Sequence, residues 1–153
     1  MAGKYYEDLV VGETFQHINK KKITKKDHST FNALTMNTQP LHSDEEYASK
    51  TNFGQIIVNG IYTLGLAVGI TVADLTEGTI ISNLSYENVK HPAPVFHGDT
   101  LHVETEVLSK RESKSNISVG IVKLKHSGRK QDGTIVLEVE RTAMFLKRES
   151  EEN

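Results

Sequence analysis

Alternate positions are apolar or β-branched through Leu101, Val103, Thr105 and Val107, and again through Ile135, Leu137, Val139, Ala143 and Phe145. That two-residue period predicts half-buried strands at Leu101–Leu108 and Thr134–Leu146, and Phe15–Ile23, Thr79–Val89 and Asn116–His126 read as strands too. Turn signals separate the last four: Pro92 and Pro94, then Ser113-Lys114-Ser115-Asn116, then Gln131-Asp132-Gly133. Between the first strand and the others the pattern changes to helix. Thr24 with Asp27 three residues on predicts a capped start, and His28, Phe31, Ala33 and Leu34 supply an apolar face for a helix of about ten residues. A second box, Ser43 with Glu46, predicts a short helix that carries Asp44 and Glu45 in its first turn and breaks at Asn52-Phe53-Gly54.

A third helix is expected from about Gly60 to Glu77-Gly78, inside a run from Thr51 to Ala73 that carries no charged side chain. A membrane span needs about 20 predominantly apolar residues. This run holds Asn52, Gln55, Asn59, Tyr62, Thr63 and four glycines, too polar for lipid, so a helix buried on all sides of a globular core is expected. Strand, short helices, one long helix and four further strands make an α+β order. An antiparallel sheet of about five strands wrapped around a central helix, the hotdog layout, fits it. An exposed edge strand in such a sheet predicts pairing with a second copy, a homodimer that assembles further or stops there.

Composition narrows the chemistry. The 153 residues suit a single domain, taken as 1–147 with a charged tail at 148–153. Eighteen Lys and Arg against twenty Asp and Glu leave a net charge of −2, which lacks the basic balance of a nucleic-acid binder. The absence of cysteine removes disulfides, metal–thiolate sites and thiol nucleophiles. The polar opening Met1-Ala2-Gly3-Lys4 has no apolar signal region, so a cytoplasmic protein with no membrane partner is expected.

The most informative segment is Asn37-Thr38-Gln39-Pro40-Leu41-His42-Ser43-Asp44. A histidine set between a proline turn and a helix cap is held in place, and its imidazole suits acid–base chemistry near neutral pH. The plain alternative is a loop histidine bonded to backbone. The segment, followed by Tyr47-Ala48 and Phe53-Gly54-Gln55-Ile56-Ile57-Val58-Asn59-Gly60, resembles the hydratase signature of the MaoC-like dehydratases and (R)-specific enoyl-CoA hydratases. Pro92-Ala93-Pro94-Val95-Phe96-His97-Gly98-Asp99-Thr100-Leu101 is similar to that family's proline-valine-x-x-Gly-Asp-x-Leu segment. The resemblance covers about residues 5 to 147 and is nearest to acyl dehydratases related to mesaconyl-CoA hydratase.

That resemblance implies addition of water to a 2-enoyl-CoA, or its loss from a 3-hydroxyacyl-CoA, as in fatty acid metabolism. No metal or redox cofactor is implied, because coenzyme A arrives with the substrate. His42 matches the catalytic histidine, and the Gly60 N–H matches the donor to the thioester oxygen. Asn37 stands where the family has its catalytic aspartate. An amide orients water but exchanges no proton at ordinary pH, so Asn37 is expected as a water-orienting group. Gln39 and Asn59 replace a frequent Asn and His and, with Thr63, are expected to bind substrate, although the Thr63 hydroxyl also suits a bond to its own helix. Two other functions stay open: a thioesterase on the same fold, and a non-catalytic acyl-CoA binder, which Asn37 makes credible.

Weaker signals exclude more than they add. His91, His97 and His102 have no recognised metal spacing. Lys20, Lys21, Lys22, Lys25 and Lys26 lack interleaved aromatics, which favours a solvated face or contact with the phosphates of coenzyme A over nucleic acid.

Overall fold

A computed structural model describes residues 3–149. Five strands, β1 (Thr14–Lys22), β2 (Ile80–Lys90), β3 (Thr100–Glu112), β4 (Val119–Arg129) and β5 (Ile135–Leu146), form one antiparallel sheet in the order β1-β3-β4-β5-β2. Alternation decides its faces: Leu101, Val103, Thr105 and Val107 of β3 and Leu137, Val139, Ala143 and Phe145 of β5 are all buried. Against them lies α3 (Gly60–Thr71), which continues through one wider π turn at Val72–Thr76. The predicted hotdog layout is the observed one.

The apolar interior falls into two clusters, one around Ala67, Ile70, Val103 and Val139, the other around Leu9, Leu75, Val107, Leu124 and Phe145. Polar groups lie between them. The His17 ring takes Asp74 at one nitrogen and the Thr105 hydroxyl at the other, and Thr105 also meets His126 Nδ1 at 2.8 Å. Buried polar groups satisfied in this way fix strand register, because a slip of one residue would leave each without its partner.

Several expectations need correcting. The capping box of the short helix α2 (Glu45–Ser49) is displaced by one residue: Asp44 accepts from the Tyr47 N–H, while Ser43 closes a preceding 3-10 turn at Pro40–His42. Ser43 and Asp44 are both good cap residues, so local sequence does not choose between them. In α1 (Lys25–Leu34) the Thr24 cap forms as expected, but the buried face carries His28 and Asn32, and Leu34 is 79% exposed. Nor is α3 buried all round, since Ile61, Gly65, Gly69 and Val72 make an exposed, uncharged stripe. Added Cβ atoms at Gly65 and Gly69 would meet nothing, so those glycines do not serve close packing of helix on sheet. Arg148, counted with the charged tail, is anchored as firmly as Lys147 before it: the Lys147 N–H donates to the Ser118 carbonyl and Arg148 grips both carboxylate oxygens of Asp8. Tail positions 150–153 lie outside the described residues.

Candidate active site

The loop from Gln55 to Asn59 brings the two signature blocks together. Ile57 pairs with Phe96 in an isolated bridge, and the Val58 N–H donates to the Val95 carbonyl at 2.8 Å. The 92–101 block is held from behind by Asp99, which accepts from the Phe96 N–H, the Gln131 amide and the Lys130 ammonium. Gly98 turns the chain at φ 94°, a left-handed conformation natural to glycine. These contacts make the second block a buttress for the first.

Between the blocks opens a cavity of about 410 Å³, with His42, Gly60, Thr63 and His91 on its wall beside apolar residues such as Phe53, Val58 and Val136. His42 Nδ1 lies 2.7 Å from the Ile57 carbonyl oxygen. A carbonyl only accepts, so Nδ1 carries the hydrogen and the neutral ring presents its lone pair at Nε2. Gly60 is the first residue of α3, and its N–H has no partner within the helix. The Asn59 carboxamide oxygen accepts from the Ile61 N–H at 2.9 Å, which leaves the Gly60 donor and the positive end of the helix to whatever enters.

Behind this wall lies a closed polar network that sequence reasoning missed. The Asn59 N–H donates to His28 Nε2 at 2.9 Å, the Asn32 amide approaches the same nitrogen at 3.2 Å, and the Asn59 amide donates to Asn32 Oδ1 at 3.1 Å. With Nε2 accepting, neutral His28 carries its hydrogen on Nδ1 and donates to His97 Nε2 at 2.7 Å. Burial, with His97 and His42 close by, pushes His28 down to about 4, and burial also lowers His97. The signal was the i, i+4 pair His28 and Asn32, two polar residues on the inward face of an otherwise solvated helix.

Of the expected site residues, His42, Gly60 and Thr63 line the cavity. The Thr63 hydroxyl also makes a long 3.5 Å contact with the Asn59 carbonyl. The structure gives Asn59 a different job from substrate binding: its side chain is turned to the α3 cap and to Asn32. Asn37 and Gln39 are not among the residues lining the cavity; they form the turn before Pro40–His42, with Asn37 Oδ1 accepting from the Gln39 N–H at 3.0 Å. His91 was weighed only as a metal ligand. Its ring packs on Gly60 so closely that a Cβ there would lie 2.8 Å from two imidazole atoms.

The chain has counterparts among known proteins. The profile described as "MaoC like domain" matches residues 8–130. The chain belongs to this MaoC-like family. It is 31% identical over 149 residues to a mesaconyl-CoA hydratase of Cereibacter sphaeroides, an alignment that takes in 97% of this chain and 43% of the relative, so the chain spans less than half of that protein. Two solved structures match most of its length. A MaoC-like dehydratase from Rhodospirillum rubrum is 28% identical, with a TM-score of 0.85 over 96% of this chain and 99% of the other. An (R)-hydratase from A. caviae, 28% identical, gives a TM-score of 0.74 over 90% and 97%.

Proposed function

We propose that this MaoC-like protein is an acyl-CoA hydratase/dehydratase, a hydro-lyase that adds water to a 2-enoyl-CoA or removes it from a 3-hydroxyacyl-CoA. One observation carries the proposal: His42, whose Nδ1 is tied to the Ile57 carbonyl, and Gly60, whose N–H has no partner within α3, line one cavity. Addition of water to an unsaturated thioester needs both, a base for the water proton and a donor for the charge that gathers on the thioester oxygen. His42 supplies the base, the Gly60 N–H the donor, and Asn37, in the turn before Pro40–His42, orients water through its side-chain NH2. The full-length match to an (R)-hydratase supports this reading, as does the name of the mesaconyl-CoA hydratase relative. Every proton in the reaction is carried by a side chain or by water, so no cofactor is called for beyond the coenzyme A of the substrate.

A thioesterase would need a carboxylate near the thioester carbon, and no Asp or Glu is among the residues lining this cavity. We further propose a cytoplasmic homodimer joined through β2, where Ile81, Leu84, Tyr86 and Val89 stand exposed on an edge strand. The opposite edge, β1, is defended by a register shift between Gln16 and Lys20 and by the exposed Lys20, Lys21 and Lys22. The test offers short, branched and dicarboxylic enoyl-CoA substrates while absorbance of the conjugated thioester and free thiol are followed together. Loss of absorbance without thiol is the expected result. Thiol release, or tight binding with neither change, would overturn it in favour of the thioesterase or the binder.

A further inference from the structure

Hydration moves two protons, one off water and one onto the α-carbon, and an asparagine at position 37 moves neither. The residues lining the cavity include two imidazole side chains able to exchange protons, His42 and His91. His91 follows directly on β2 and precedes Pro92, and it is exposed at the mouth. Its ring atoms lie 2.8 Å from the place a Gly60 Cβ would take, hence within about 4.5 Å of the Gly60 Cα. A thioester oxygen accepting from the Gly60 N–H would sit about 2.9 Å from that nitrogen. The substrate α-carbon is two bonds from that oxygen. With the thioester lying on the His91 side of Gly60, the imidazole reaches the α-carbon directly or through one water.

We propose that His91 is the second acid–base residue of the site, standing in for the carboxylate that Asn37 lacks; the proposal rests on the hydratase reading above. In the hydration direction His42 Nε2 takes a proton from water as the water oxygen bonds to the β-carbon. The π pair of the double bond moves into the thioester, giving an enolate whose oxygen is held by the Gly60 N–H. The His91 imidazolium then delivers its proton to the α-carbon as the enolate collapses. One water has been added, His42 is left protonated and His91 neutral, and the proton returns from one to the other through solvent at the open mouth. Dehydration runs the same steps backward.

The test is the pH profile of kcat for wild type, His91→Gln and His91→Phe on an enoyl-CoA that the wild type hydrates, with imidazole added to His91→Ala. His91 must be protonated and His42 neutral, so wild type should show a bell. Both variants should lose about 10²- to 10⁴-fold in kcat with KM little changed and should lose the alkaline limb. The Phe variant keeps an aromatic ring against Gly60, which separates proton transfer from packing. Added imidazole should recover at least tenfold in His91→Ala. A folded His91→Gln within threefold of wild type and with both limbs intact would overturn the role of His91 while the hydratase reading stands. A wild type inert toward every enoyl-CoA would instead remove the hydratase reading, and this inference with it.

Discussion

His28 shows how one residue couples the site to the stability of the fold. Its Nε2 accepts from the Asn59 N–H, so a proton at that nitrogen breaks the bond that holds the turn leading into Gly60. The folded state resists this proton, since burial beside His97 and His42 takes the histidine from 6.5 down to about 4. A histidine depressed in the folded state contributes stability that is fully present above the unfolded value, and lost as pH falls from 6.5 toward 4. The loss amounts to about 3 kcal/mol at pH 4. Urea unfolding at a series of pH values should show this fall, and His28→Gln, which has no proton to gain there, should show a shallower one. Equal slopes in the two proteins would place the acid sensitivity elsewhere, with the buried, strongly lowered His126 the next group to examine.

At the scale of elements, local signals were legible and partnered ones were not. The Thr24 cap was readable because donor and acceptor lie within one turn, and the strands because their alternation is set by a single apolar face. The inward face of α1 is legible in part: His28 lies on it as expected, but Asn32 takes the place of Leu34, because its partner Asn59 is distant in sequence and a polar residue with an unseen partner looks like a surface residue. His91 was missed for the same reason, since its importance lies in contact with Gly60. The end of α1 shows a local cost. Met36 sits at φ 59°, and beyond it the Asn37 N–H donates to the Asn32 carbonyl at 2.9 Å, closing a Schellman turn on a residue other than glycine. Left-handed backbone costs such a residue roughly 1–2 kcal/mol. Met36, 87% exposed, makes little of this back through packing. Met36→Gly should raise the unfolding free energy by about 0.5–1 kcal/mol after allowance for the extra freedom glycine gives the unfolded chain. A fall in the denaturant midpoint would mean that Met36 is covered by something in solution.

At the scale of the molecule, the proposed dimer turns on the two edges of the sheet. β2 ends at the residue before His91, so pairing through β2 would set the partner close to the mouth of the cavity. Leu84, half exposed on that edge, is the position to change. Leu84→Glu places two like charges across a symmetric interface, and sedimentation should shift from dimer to monomer while the circular dichroism of the fold is kept. A dimer unaffected by Leu84→Glu would move the interface to another surface. The charge-free run that first suggested a buried helix serves this larger picture as well: the inner face of α3 within it fills the core, and the first residue of α3 is Gly60, the proposed donor.

The proposed hydration of an enoyl-CoA turns on His42, which is fixed by the Ile57 carbonyl and takes the proton of water. The most direct measurement compares wild type with His42→Asn by the initial rate at which the conjugated thioester absorbance disappears, on the substrate the wild type turns over fastest. A drop of about 10²- to 10⁴-fold with free thiol unchanged is the predicted result, and a His42→Asn protein that hydrates at the wild-type rate would contradict the account.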